Sequence, residues 1–194
     1  MSNKIALIMG SVRDSRINPK LTNWILESVM TNEQRAQVEI IDLLEWNLPF
    51  FDEPKSPKAA LGKYEHEHSR KWADKIKQYD GYIFVSPQYN FSVPAVLKNA
   101  IDYLYIEWTK KPATIFTYGF GGGGLKSQEH LTIILGESIS MVLTQTKTPI
   151  VINGSVNQST NEQLQELFQP SLETGKKSIH ELFDLLSKNN KVSA

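Results

Sequence analysis

The sequence predicts a doubly wound α/β domain: a five-stranded parallel sheet of order 2-1-3-4-5 with helices on both faces. Residues 1–188 form it, and 189–194 are expected to be a frayed tail. Three observations carry this reading. Short apolar runs rich in β-branched and aromatic residues alternate with segments whose apolar residues recur at helical spacing. The 194 residues suffice for one domain with a full core. Polar loops follow the first, third and fourth strands, on the edge where open parallel sheets bind their ligands.

Composition removes several function classes. Lys plus Arg number 21, as do Asp plus Glu, so net charge draws the chain to neither nucleic acid nor a membrane surface. Cysteine is absent, which excludes disulfides, thiolate nucleophiles and Cys-ligated clusters. The apolar run Ile5–Met9 is too short for a secretory signal or a membrane span, so a cytoplasmic location is expected.

Lys4 to Met9 reads as the first strand. The loop after it, Gly10 to Asn18, supplies hydroxyls (Ser11, Ser15), guanidinium groups (Arg13, Arg16) and a helix start with Asn18 as cap and Pro19 at the first position. Those are the parts of a phosphate-monoester site. The loop lacks the Gly-Lys-Ser/Thr ending of a P-loop and the glycines of a dinucleotide fingerprint. Leu21, Trp24, Ile25 and Val29 then repeat as a helix.

Val38 to Asp42 is the second strand. The irregular stretch Leu43 to Pro54 carries Trp46, Leu48, Pro49, Phe50 and Phe51, an apolar cluster that either marks an interface or folds onto the domain's own core. Ala59 to Tyr79 reads as a polar helix with Leu61, Tyr64, Trp72 and Ile76 inward. His66 and His68 are two residues apart and do not share a helix face, so no metal site is expected; His130 and His180 read as surface residues.

Tyr82 to Val85 is the third strand. Ser92 is the expected cap of the next helix, Pro94 lies in its first turn, and Leu97, Ala100, Ile101 and Leu104 face inward as it runs to about Ile106. Between them, Pro87, Gln88, Tyr89, Asn90 and Phe91 offer a flat aromatic, two amides and unpaired backbone N–H groups. That chemistry suits a planar heterocycle with acceptors on its edge. Ala113 to Tyr118 is the fourth strand, followed by Gly119, Phe120 and Gly121 to Gly124. Neither the strand number nor the downstream acid fits a dinucleotide fingerprint; the glycines suit close backbone approach to a ring. Leu125 to Ile139 is a helix, and Met141 to Ile152 holds a fifth strand broken near Pro149. A capping box of Thr160 and Gln163 opens a short helix to Phe168, and Pro170 starts the terminal one.

The stretch Pro87 to Asp102 resembles the hallmark of the NADPH-dependent FMN reductase family, Pro-Glu-Tyr-Asn then Ser-x-Pro-x-x-Leu-Lys-Asn-Ala-x-Asp. Pro87, Tyr89, Asn90, Ser92, Pro94, Leu97, Lys98, Asn99, Ala100 and Asp102 match, and Gln88 stands where Glu is commonest. Gly10, Ser11 and Arg13 match the family's Gly-Ser-x-Arg loop, with Arg16, Ile17 and Asn18 mapping more loosely. Leu48, Pro49, Asp52 and Glu53 match a further segment, as do Lys111, Pro112, Ala113 and Gly119 to Gly122.

The resemblance implies a flavodoxin-like three-layer sandwich and FMN as cofactor. FMN would be held by Ser11, Arg13, Ser15, Arg16, Ile17 and Asn18, by Pro87, Gln88, Tyr89, Asn90 and Phe91, and by Tyr118, Gly119, Phe120, Gly121 and Gly122. It implies NADPH or NADH as donor, a quinone, azo compound, free flavin or ferric chelate as small-molecule acceptor, and a homodimer or homotetramer. No catalytic side chain is expected, since the hydride chemistry is the flavin's. A flavodoxin-type electron carrier without nicotinamide reactivity is the alternative. Such carriers are usually strongly acidic, unlike this neutral chain. A flavin-binding regulatory protein is a third reading, which an NADPH oxidation assay separates from the first.

Overall fold

In the computed structural model, which describes residues 3–192, the sheet runs β2-β1-β3-β4-β5, all neighbours parallel. The strands are β1 (Ile5–Met9), β2 (Val38–Asp42), β3 (Gly81–Pro87), β4 (Pro112–Gly119) and β5 (Val142–Leu143). This is the flavodoxin-like order expected. The fifth strand is in two pieces: β5 pairs with the start of β4, and β6 (Thr148–Val151) with its end. Pro149 lies inside β6 rather than at the break. β6 pairs with β4 alone, and a proline without an N–H is tolerated on such an edge.

The inner strands are buried on both faces, so their side chains alternate between two cores. Ala6, Ile8, Tyr82 and Phe84 join one core with Trp72, Leu97, Ile101 and Trp108. Ile5, Leu7, Ile83 and Val85 join the other with Leu21, Ile25, Ile179 and Leu182. The first core lies under α5 (Glu67–Ile76), α6 (Ala95–Asp102) and α7 (Leu125–Leu131). The second lies under α1 (Asn18–Trp24), α8 (Asn161–Phe168) and α9 (Leu172–Val192). Two buried indoles tie down α6 within the first layer: Trp72 Nε1 donates to Ala100 O at 2.8 Å and Trp108 Nε1 to Ile101 O at 3.2 Å.

Several helix boundaries differ from the sequence reading. Asn18 is the first residue of α1 rather than its cap; Ile17 occupies the cap position and contributes no side-chain bond. The helix then widens into a π-type turn over Ile25–Val29. Further short helices are α2 (Asn32–Arg35), α3 (Leu43–Trp46) and α4 (Pro57–Ala60). The start of the stretch expected to be irregular is helical because Asp42 Oδ1 caps it by accepting from Leu44 N at 3.0 Å. The long polar helix is broken between α4 and α5, where Leu61 and Gly62 both take positive φ, and Leu61 is exposed. α6 begins at Ala95 without a side-chain cap, so Ser92 is free for another role, and it ends at Asp102 rather than near Ile106. α7 also widens, over Thr132–Ser138. The Thr160–Gln163 capping box forms in both directions. α9 is described to Val192, beyond the Lys188 limit read from the sequence. No helix among the described residues is long and apolar enough to cross a membrane.

Candidate functional site

The loops after β1, β3, β4 and β6 meet at the carboxyl edge of the sheet around a cavity of about 360 Å³. The loop after β1 contributes Arg13, Ser15, Arg16 and Ile17; the loop after β3 contributes Pro87, Gln88 and Tyr89; β4 and its loop contribute Tyr118, Gly119 and Phe120. Ten residues expected from the sequence to hold a cofactor thus line one space.

The two guanidinium groups have different duties. Arg16 makes a bidentate pair with Asp42, at 2.9 and 2.6 Å, and donates to Ser11 O at 3.0 Å. Both charged side chains are largely buried, so Arg16 ties the phosphate-type loop to the end of β2. Arg13 has no carboxylate partner among the described residues; its guanidinium stands 5.9 Å from the Tyr89 ring centroid. It is the cation left to meet an anionic ligand.

Six expected residues do not line the cavity. Ser11 is fully buried, with its hydroxyl 2.7 Å from Tyr89 OH. Asn18 is buried too: its Nδ2 donates to Val85 O at 3.0 Å and its Oδ1 accepts from Tyr118 OH. Both polar side chains support the walls from behind. Burial pushes the Tyr118 phenol well above its usual range, so it stays a protonated donor to Asn18. Asn90 and Phe91 form the tip of a turn with positive φ, and Phe91 is exposed. Gly121 and Gly122 lie beyond Phe120; a Cβ on Gly121 would meet nothing within 4 Å. The tightly packed glycines are Gly123 and Gly124, against β6 and β4.

A fourth wall went unread in the sequence. Ile152, Asn153, Gly154, Val156 and Asn157, following β6, also line the cavity. Lys20 Nζ holds this loop through Val156 O at 3.2 Å and Asn157 O at 2.8 Å. Its one sequence signal is the turn-forming Asn153-Gly154 directly after a strand.

Tyr89 and Arg13 separate this cavity from a second, more apolar one of about 500 Å³, bordered by Leu48, Pro49 and Phe50 on one side and Pro94, Ala95 and Val96 on the other. Asn99 explains its place in the hallmark: its Oδ1 accepts from Phe51 N at 2.9 Å and its Nδ2 donates to Pro49 O at 2.7 Å. It clamps the 49–51 loop. Of the aromatics expected at an interface, Trp46 packs on Trp72 and Phe51 on Tyr103, while Phe50 is 83% exposed. The first histidine pair also differs from the sequence reading. His66 sits at the cap of α5, its ring stacks on that of His68 at 5.3 Å, and both reach Asp52. Among the described residues no group of three or more His, Asp or Glu could hold a metal ion.

A crevice lined by the loops after β1, β3 and β4, at the point where strand order reverses, is the arrangement of a flavodoxin-like fold. The chain belongs to the NADPH-dependent FMN reductase family, whose sequence profile matches residues 3–150. It is 46% identical over 121 residues to an NAD(P)H-dependent FMN reductase of Schizosaccharomyces pombe, covering 62% of this chain and 60% of that protein. It is 38% identical over 149 residues to one from a Nectria species, covering 75% and 72%. Among solved structures, the flavoenzyme NAD(P)H:(acceptor) oxidoreductase of Paracoccus denitrificans superposes with a TM-score of 0.64 at 21% identity, over 92% of this chain and 98% of the other, a likeness of fold. The 152–157 wall lies past the end of the family match.

Proposed function

We propose that the chain is an NAD(P)H-dependent oxidoreductase with FMN in the 360 Å³ cavity, acting in the cytoplasm as one domain over residues 1–188. The observation that carries this is the pairing of an uncommitted Arg13 with a neutral, flat wall of Tyr89, Gln88 and Gly119 in one crevice. The donor set fits FMN: Arg13 and Ser15 would hold the phosphate with Arg16 and Ile17 beside them, and Pro87, Gln88, Tyr89, Tyr118, Gly119 and Phe120 would hold the ring. Bound there, FMN would supply the hydride chemistry that links NADPH or NADH to a quinone, azo compound, free flavin or ferric chelate. The protein's own part is to orient the ring and to offer backbone N–H groups where negative charge develops.

The test is spectroscopic. The purified protein titrated with FMN should show a bound-flavin absorbance band that NADPH bleaches without oxygen. A band that forms but stays unbleached would support the electron-carrier reading instead. Because one crevice serves donor and acceptor in turn, double-reciprocal plots should be parallel. Intersecting lines backed by dead-end inhibition would overturn the shared crevice. His66→Ala, His68→Ala and His180→Ala should each keep turnover within about tenfold, since none lines the crevice.

The same reading includes a homodimer or homotetramer, with Phe50 at the contact and Trp46 and Phe51 behind it as support. An exposed phenylalanine beside an apolar groove favours a covered face. Sedimentation at micromolar concentration should give at least twice the 22.0 kDa chain mass; a single-chain mass refutes it.

A further inference from the structure

The turn Tyr89–Asn90–Phe91–Ser92 carries two consecutive side-chain-bearing residues in the left-handed region, Asn90 at φ 47° and Phe91 at φ 60°. That conformation is unfavourable for residues with a Cβ, the bulky Phe91 above all. Such a turn persists only where its surroundings hold it. Three sets of contacts do so. Tyr89 and Ser92 exchange backbone hydrogen bonds at 3.0 and 2.9 Å. The Tyr89 hydroxyl is 2.7 Å from Ser11 Oγ, which fixes the turn's first residue to the loop after β1. At the turn's last residue, Ser92 Oγ lies 2.9 Å from His130 Nδ1, 38 residues away on α7.

A second bond runs beside the last. Lys126 N, in the first turn of α7, donates to Gln88 Oε1 at 2.9 Å. This needs an acceptor oxygen, not a charge, and glutamine supplies it where glutamate is commonest in the hallmark. α7 continues directly from the glycine run after β4. The two bonds therefore join the wall after β3 to the wall after β4. Those walls already approach closely: a Cβ on Gly119 would stand 3.6 Å from Gln88 Cβ.

We propose that His130 is a positioning residue of the cofactor crevice. Through Ser92 it holds the Tyr89–Ser92 turn in its left-handed form and, with Gln88, sets the separation of the two walls that face the ring. The inference rests on the FMN reading of the cavity. Neither Ser92 nor His130 lines that cavity, so each acts through the loop. His130 is thus not the isolated surface histidine that its helical context suggested.

The test is a double-mutant cycle read by FMN titration and by the visible spectrum of the bound flavin. Ser92→Ala and His130→Ala should each weaken FMN binding by about three- to tenfold, the range expected for one neutral hydrogen bond. The double variant should be no weaker than the poorer single one, because both remove the same bond. Both should shift the flavin absorbance bands relative to the parent. His130→Asn, whose amide keeps a hydrogen-bonding group near the Nδ1 position able to donate or accept, should recover most of the affinity and the parental spectrum. Effects that multiply, or a His130→Ala variant with parental affinity and spectrum, would overturn the proposal, as would an Asn variant no better than Ala. Failure of the underlying reading looks different: the parent protein itself would show no saturable FMN binding.

Discussion

Arg13→Ala should weaken FMN binding by roughly ten- to hundredfold, the loss expected of a charge-assisted contact worth about 1.5–3 kcal/mol. The size follows from what Arg13 lacks. It has no carboxylate partner among the described residues, so its charge is available to a phosphate. Arg16→Ala should behave otherwise. Arg16 closes a bidentate pair with Asp42, the two side chains only 12% and 13% exposed. Its removal strands a largely buried carboxylate, so the first effect is on stability. Thermal melts and FMN titrations of both variants separate the roles. Arg13→Ala should melt close to the parent but bind FMN poorly, and Arg16→Ala should melt lower even without FMN. Parental FMN affinity in Arg13→Ala would remove the phosphate assignment.

Gly123→Ala is expected to destabilise the fold by about 3 kcal/mol, of which left-handed backbone supplies roughly 1–2 and steric displacement the rest. Gly123 has φ +65°, and an added Cβ would lie 2.6 Å from Ile150 N and 2.8 Å from Pro149 C. Those are backbone atoms of β6, which cannot swing aside as a side chain can. Gly121 is the control: φ is +72°, but its Cβ would meet nothing within 4 Å, so only the conformational cost of about 1 kcal/mol applies. At this chain length 1 kcal/mol moves the midpoint by about 2–4 °C. The Gly123 variant should therefore melt roughly 6–12 °C below the parent and well below Gly121→Ala. Equal melting of the two would show that β6 yields to the added atom.

The contrast between these glycines shows where reading the chain by itself succeeds. From the run Gly119 to Gly124 it is plain that backbone must pass close to something, yet the run looks alike along its length. Only the packing of β6 beside β4 decides that Gly123 is enclosed and Gly121 open.

The same division holds throughout. β2 begins and ends where apolar composition puts it, the Thr160–Gln163 box caps its helix, and the loops after the first, third and fourth strands converge as the strand order requires. Those features depend on residues within about four positions of one another, or on a handedness rule that sequence order obeys. Partner choice is different in kind. Ser92 and Asn18 look like helix caps because nearby N–H groups would suit them. The fold instead brings His130 to Ser92 and Val85 O to Asn18, across 38 and 67 residues. Arg13 and Arg16 are equivalent by local rule, and the end of β2 places Asp42 beside only one of them. The residues of the chain determined which loops would carry polar chemistry. The sheet's long-range pairings decided which of those groups are consumed in holding the walls together and which still face the crevice.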